Sequence, residues 1–180
     1  GFDIGAGLLY NPTARLEYAG NPEADYEIID NVIWVPRMLY DFGNGFRAGA
    51  HFDIYKKRIF PGGSTRSDVS FWGAGLLGEY DYAITESGRT LVVGGMETGY
   101  ERLTDRSNSM SARVASIGVA VYGGVRYMFS PRFSLEMDYH FGWLEFDLNA
   151  SPKRKYNYSG SGLRLSIAYQ FYVQPGKTEE

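Results

Sequence analysis

The sequence predicts an all-β chain, an eight-stranded antiparallel up-and-down transmembrane β-barrel, and three observations predict it. The first is the segment Gly162 to Phe171, which alternates without a break. Leu163, Leu165, Ile167, Tyr169 and Phe171 form one apolar face, and Arg164, Ser166, Ala168 and Gln170 form a small polar one. Period-two alternation marks a strand between unlike surroundings, and about ten tilted residues cross a bilayer. The second is that charge recurs on the face that carries the small residues. Phe46, Ala48, Ala50, Phe52 and Ile54 oppose Arg47, Gly49, His51, Asp53 and Tyr55; Phe133, Leu135, Met137, Tyr139, Phe141 and Trp143 oppose Ser134, Glu136, Asp138, His140 and Gly142. A soluble sandwich or lipocalin-like barrel hides its apolar face, whereas a membrane barrel turns it outward around a narrow polar interior. The third is a strict alternation of short and long connections, the asymmetry of barrels with tight turns at one rim and longer loops at the other.

The first strand runs from Phe2 to Tyr10, with Asp3 inward. The second, Ile28 to Phe42, turns Arg37 and Asp41 inward and Trp34, Tyr40 and Phe42 outward. Gly43-Asn44-Gly45 then forms a tight turn, and the third strand occupies Phe46 to Lys56. In the fourth and fifth, Val69 to Ala83 and Thr90 to Arg102, the phase is set by cost. Glu79, Asp81, Glu97 and Glu101 face inward, because the opposite choice places carboxylates in lipid. Glu86-Ser87-Gly88 joins them. The sixth and seventh, Val114 to Phe129 and Phe133 to Phe146, meet at Ser130-Pro131-Arg132, and the eighth is Ser159 to Phe171. Long loops are expected at Asn11 to Glu27, Lys57 to Asp68, Leu103 to Arg113 and Asp147 to Tyr158. Outward aromatics form two belts at the headgroup levels. Tyr40, Phe42, Phe46, Tyr80, Tyr82, Tyr127, Phe129, Phe133, Tyr169 and Phe171 lie near the short turns, and Tyr10, Trp34, Trp72, Tyr100, Phe141 and Trp143 near the long loops.

Composition fits one domain. The chain has 180 residues, 16% of them aromatic, with 15 Tyr and 23 Gly, the residues that build interfacial belts and crowded interiors. No apolar run reaches the length of a transmembrane helix. The absence of cysteine removes disulfides, thiol catalysis and thiolate metal sites. A formal charge of -3 gives no reason to expect a nucleic-acid partner. The chain opens in a strand at Gly1-Phe2-Asp3-Ile4, so if the protein is exported its signal peptide has been removed.

The terminal strand ending at Phe171 and the full array of alternating segments resemble the eight-stranded outer-membrane barrels of Gram-negative bacteria, the group containing OmpX and the transmembrane domain of OmpA. The resemblance implies an outer-membrane location, short turns and both termini in the periplasm, and a monomer in contact with outer-membrane lipid and lipopolysaccharide. It also implies that Tyr169 and Phe171 belong to a signal read by the outer-membrane assembly machinery. Members that stop at the aromatic differ from this chain, which continues through Tyr172. Residues 1–172 are therefore read as the barrel and 173–180 as a periplasmic tail or linker stump, as in OmpA-like domains.

The inward charges form the largest candidate site. Arg37, Asp41, Arg47, His51, Asp53, Glu79, Glu97, Arg126, Glu136, Asp138, His140 and Arg164 are expected to build a lumen polar network. Centring each hairpin on its turn opposes Asp41 to Arg47, Arg37 to His51, Arg126 to Glu136 and Tyr122 to His140, and opposite charges across a strand pair are favourable partners. An interior this narrow has room for side chains and little more, so its charges must be paired. An ion-paired filling is the favoured reading and a narrow path for ions or small apolar solutes the alternative.

Some barrels of this size modify lipid A with His, Ser and an acidic residue. Here His51 and His140 are the only histidines, and neither sits beside a serine in a motif resembling those enzymes. No catalytic residue, cofactor or metal site is assigned; His51 and His140 with Asp53 and Asp138 lack ligand spacing. At the outer rim Lys56, Lys57, Arg58 and Arg66 flank the second long loop, Arg102, Arg106 and Arg113 the third, and Lys153, Arg154 and Lys155 sit in the fourth. Cations there suit lipopolysaccharide phosphates, since Lys and Arg bind phosphate oxygens by charge-assisted hydrogen bonds, and Lys57, Arg58, Arg106, Lys153, Arg154 and Lys155 are the candidate contacts. The first long loop is acidic, with Glu17, Glu23, Asp25 and Glu27. The function expected is a structural or adhesive surface role.

Because Phe171 is in phase with the outward face of its strand, Phe171→Ala should impair assembly far more than Tyr172→Ala. Quantifying folded protein at the cell surface checks this, and equal levels of the two variants would misplace the signal.

Overall fold

In the computed structural model, residues 1–19, 21–61, 66–107, 110–149 and 153–171 are described, and the proposed tail at 173–180 lies outside them. Eight antiparallel strands close a barrel: β1 (Phe2–Tyr10), β4 (Val32–Asp41), β5 (Phe46–Ile59), β6 (Ser67–Ala83), β7 (Thr90–Ser107), β8 (Met110–Met128), β9 (Phe133–Trp143) and β12 (Gly160–Gln170). Sequence neighbours pair around the wall, and β1 closes on β12 from Asp3↔Gln170 to Tyr10↔Leu163. Closure leaves no free edge around the lower wall, the condition for placing strands in hydrocarbon. The burial of β9 alternates at every residue, from exposed Phe133 to buried Ser134 and onward to Trp143. Leu165, Ile167, Leu135, Met137 and Ile117 all lie on the exposed face.

The turns follow their chemistry. Gly43 and Gly45 take φ of 83° and 85°, a region costly for other residues. Asp41 Oδ1 accepts the Gly43 N–H at 2.7 Å, and Asn44 Oδ1 accepts the Phe46 N–H at 3.0 Å. Ser130 Oγ likewise accepts the Phe133 N–H at 3.0 Å. Gly1 and Phe171 sit at this rim: the Gly1 ammonium donates to Asp41 O at 2.9 Å, and the Phe171 N–H to Phe2 O at 2.8 Å.

The opposite rim corrects the expected loops. A second, four-stranded sheet is built from β10 (Glu145–Leu148), β11 (Arg154–Asn157), β2 (Arg15–Tyr18) and β3 (Tyr26–Glu27), in that order. It joins the first and fourth connections, expected as loops. The third connection is strand also, with β7 and β8 paired up to Ser107↔Met110, and β5 pairs with β6 up to Ile59↔Ser67. Two strand limits shift as well. The second strand begins at Val32 and not Ile28, because Asp30 at φ 53° turns the chain and Ile28 is drawn into the core. The seventh ends at Trp143, beyond which the chain leaves the wall for the second sheet.

The interior has two halves, which corrects the expectation of a uniformly polar lumen. Toward the short turns it is charged. Toward the second sheet it is an apolar core of Leu16, Phe71, Leu103, Phe146, Tyr156, Tyr158 and their neighbours. Phe71 packs on Tyr55 and Tyr158 with ring centroids 5.0 Å apart in each case, and on Phe146 at 5.9 Å. The second sheet is thus a roof, its inner face sunk into the barrel mouth.

Phe146 is fully buried, so Phe146→Ala should loosen the roof by about 3 to 5 kcal/mol. Amide exchange should speed up at β10 and β11 before β6 to β8. Unchanged exchange there would mean the roof does not depend on this packing.

Candidate functional site: a charged septum under an apolar roof

The charged half of the lumen is organised around Arg126, which is 2% exposed. Its Nε donates to Glu136 Oε2 at 2.8 Å and its Nη2 to Glu79 Oε1 at 2.5 Å, and Nη1 reaches Asp81. Arg37 Nη1 donates to the other oxygen of Glu136 at 2.8 Å. Arg47 donates to Glu79 Oε1 at 2.9 Å, approaches Asp81 at 3.3 Å, and pairs with Asp3. Three guanidiniums therefore interleave with four carboxylates drawn from β1, β6 and β9. Tyr122 adds a hydroxyl donated to Glu79 Oε2 at 3.0 Å.

A second layer lies above. Arg164 donates to Asp138 Oδ2 at 2.9 Å and to Glu97 Oε2 at 2.8 Å, and its guanidinium stands 4.3 Å from the centroid of the Tyr122 ring. His140 Nε2 lies 2.8 Å from Glu97 Oε1. His51 Nδ1 is 3.3 Å from Asp53 Oδ2. Glycines make room for these groups: a Cβ on Gly95 would stand 2.5 Å from the Tyr122 hydroxyl, and one on Gly99 2.7 Å from Glu101 Oε1. The guanidiniums tolerate this burial because each is bonded to at least one carboxylate, although Asp3 Oδ1, Asp81 Oδ1 and Asp138 Oδ1 are buried without a hydrogen-bond partner among the described residues.

The cross-strand register opposes Asp41 to Arg47, Arg37 to His51, Arg126 to Glu136 and Tyr122 to His140. Of these four opposed pairs only Arg126 and Glu136 are bonded directly, while on other ladders the register neighbours Arg47 with Glu79 and Arg164 with Asp138 are bonded too. Arg37 crosses the lumen to Glu136, and Asp41 caps its own turn while Arg47 goes to Glu79 and Asp3. Contacts across a barrel are invisible to hairpin arithmetic. For the same reason the sequence reading left Asp3 and Asp81 out of the network.

Above the second layer a cavity of about 60 Å³ separates the septum from the roof. His51, Asp53 and Glu101 line it below, Phe71 and Tyr158 above, and Val119 and Trp143 at the wall. There the pairing of β8 with β9 stops, its last pair being Val119↔Trp143. Among the described residues, no serine hydroxyl hydrogen-bonds His51 or His140, and no three His, Asp or Glu residues are grouped to hold a metal ion.

The roof is fastened by Asp105, which sequence reading missed because it lies in an expected loop. Its carboxylate accepts the Ser67 hydroxyl at 3.0 Å and the Tyr156 hydroxyl at 2.9 Å, and Arg154 Nη1 lies at 3.3 Å. Burial, with Asp105 beside it, pushes the Tyr156 phenol above its ordinary pKa. The basic candidates at this rim part company. Lys57 donates to Ile29 O, Arg154 is bound to Asp105, and Lys155 pairs with Glu145 at 2.6 Å. Arg58 pairs with Asp68 at 2.9 Å, while Arg106 and Lys153 are exposed. Of the terminal aromatics, Tyr169 packs edge-on against Phe133 and Phe171, with centroids 4.9 and 5.0 Å away.

No protein-family model and no curated protein matches the sequence. Solved structures do. Neisserial surface protein A is 17% identical with a TM-score of 0.67, over 94% of this chain and 97% of that one. Outer membrane protein OprG from Pseudomonas aeruginosa is 13% identical with a TM-score of 0.66, over 95% of each chain. Ail, the attachment invasion locus protein of Yersinia pestis, is 15% identical with a TM-score of 0.56, over 94% and 97%.

Removing Arg126 alone strands carboxylates in the septum and should cost about 3 to 5 kcal/mol. Arg126→Leu with Glu136→Leu should cost less than the two single changes summed. Glu79 and Asp81 still lose a partner, so recovery should be incomplete. Urea unfolding in vesicles measures the cycle, and zero coupling would mean that the pair is solvated. By architecture and by these likenesses, the chain has the fold of the eight-stranded barrels of bacterial outer membranes.

Proposed function

We propose that the protein is a structural and adhesive barrel of the outer membrane, with its short turns and termini in the periplasm and the roof outside the cell. The observation that carries this reading is the filled lumen. Layers of ion pairs cross the barrel at Arg37, Arg126 and Arg164, and the apolar roof closes the other mouth. What remains available is the outer face of the roof. There Asp147, Lys155 and Glu17 stand in one cross-strand row, and Glu145, Asn157, Arg15 and Glu27 in the next. A rigid sheet of alternating charge offers a binding partner a surface that costs little entropy to order. That Ail is named for attachment and invasion is in keeping with such a role.

One observation favours a second reading, exchange of small apolar solutes with the membrane. The cavity beneath Phe71 and Tyr158 reaches the wall at Val119 and Trp143, where the β8–β9 ladder ends. Both readings are tested together in reconstituted protein. The adhesive reading expects no conductance in planar bilayers, and host-cell binding that falls when Glu17, Asp147 and Lys155 are neutralised. Conductance steps in the wild type, or cell uptake of a small aromatic solute abolished by bulk at Gly118, would move the function to the lumen.

A further inference from the structure

The wall beside the roof carries charge that neither the lumen nor the roof uses. Leu103 and Asp105 are buried and Val114 packs on the apolar core. The alternate positions, Arg102, Thr104 and Arg106 on β7 and Arg113 on β8, therefore point away from the barrel. The ladder sets Arg113 opposite Thr104, which makes Arg102 and Arg106 its diagonal neighbours, about 7 to 8 Å away. Three arginines thus neighbour Thr104 on one outward face. Lys56 lies in the same cross-strand row as Thr104 and Arg113, by way of Ser70.

All four cations are exposed, and among the described residues none has a carboxylate within ion-pair distance. Asp68, which faces Arg106 across the ladder, is held instead by Arg58 at 2.9 Å and Arg66 at 2.8 Å. Depth fixes the kind of partner. Arg102 shares its row with Trp72, which is 55% exposed in the outer aromatic belt, and Ile117 just below Arg113 is 69% exposed. Guanidiniums clustered at the headgroup level, directly above an apolar wall, repel one another unless an anion lies among them. The guanidinium fork matches phosphate oxygens.

We propose that Arg102, Arg106 and Arg113, with Thr104 at their centre and Lys56 beside them, bind the phosphate monoester of an outer-leaflet lipid headgroup, its acyl chains lying on the wall below. Of the six candidate contacts drawn from the rim cations only Arg106 belongs to this site; Lys57, Arg154 and Lys155 are committed elsewhere. The site rests on the outer-membrane placement and is independent of the adhesive reading.

The test compares the wild type with a variant carrying K56Q, R102Q, R106Q and R113Q. Each is refolded into phosphatidylcholine vesicles alone, with phosphorylated lipid A, or with lipid A stripped of phosphate. Equal folding of both proteins in phosphatidylcholine alone establishes the membrane placement separately. Phosphorylated lipid A should raise the wild type's unfolding midpoint, and the variant should lose that rise. Each cation removed singly should weaken lipid binding roughly fivefold. A control carrying K153Q and K155Q should keep the full rise, as should the wild type with inorganic phosphate in the buffer. The proposal is overturned if the variant responds like the wild type, if dephosphorylated lipid A acts as well, or if phosphatidylglycerol, a diester, gives the same rise.

Discussion

The arrangement depends on one constraint: a guanidinium taken out of bulk water must be surrounded by carboxylates, and Arg126 is surrounded by three. Turning Leu, Ile, Val and aromatic side chains outward into lipid leaves the interior to whatever remains on the other face of each strand, and in this chain that is charge and glycine. The two features require each other. Without Gly95 and Gly99 the Tyr122 hydroxyl and the Glu101 carboxylate would have no space, and without Arg126, Glu79, Asp81 and Glu136 would repel one another. Glu79 illustrates the coupling, since it receives donors from Arg47, Arg126 and Tyr122, on β5 and β8. No element of the septum is satisfied by its own hairpin alone.

The wall was legible because its two faces meet opposite solvents. Lipid on one side and a packed lumen on the other force a contrast at every residue of β9 and β12, so the phase, the strand count and the register at Arg126↔Glu136 could be read from alternation and turns. The contrast fades where the wall rises out of the membrane. Along β7, Thr104 and Arg106 face outward and Asp105 faces inward, so a true strand carries polar residues on both faces and reads as a loop. The roof was hidden for a second reason. Its strands are short, and Leu16, Phe146 and Tyr156 show their alternation only when residues far apart in sequence are paired. The candidate site divides in the same way: inward phase was legible for each charge, while the partner across the lumen was not.

The change from charge to apolar packing along the lumen also follows from geometry. Over the lower barrel the only groups inside are those of the wall, and they must satisfy one another. At the upper rim the chain itself returns as β10 and β11, bringing Phe146, Leu148 and Tyr156 to meet Tyr55, Phe71 and Leu103. Apolar residues on the inward face of β5 to β7 are tolerated there because another piece of the same protein covers them. Asp105 then has a specific task. As a single carboxylate among apolar groups it is stabilised by the Tyr156 and Ser67 hydroxyls and by Arg154, and those hydrogen bonds fix the roof in one orientation where apolar packing alone would let it slide.

Phase also sorts the basic residues, and this bears on function more than their number does. Lys56 and Lys57 are adjacent, yet a strand sends them to opposite sides: Lys57 caps Ile29 O at the rim, while Lys56 joins the outward row with Ser70, Thr104 and Arg113. Arg154 and Arg106 are equally basic in sequence, yet one is bound to Asp105 and the other is exposed on the wall. A cation already held by a carboxylate has little left to offer a phosphate, since binding it elsewhere means giving up that pair. The outward group on β7 and β8 has no such cost; Arg102 shares its cross-strand row with Trp72, and the group lies just above the exposed Ile117. The separation of paired cations at the roof from unpaired ones on the wall divides the surface into a part that holds the protein's own chain together and a part whose charge is free for an outside anion.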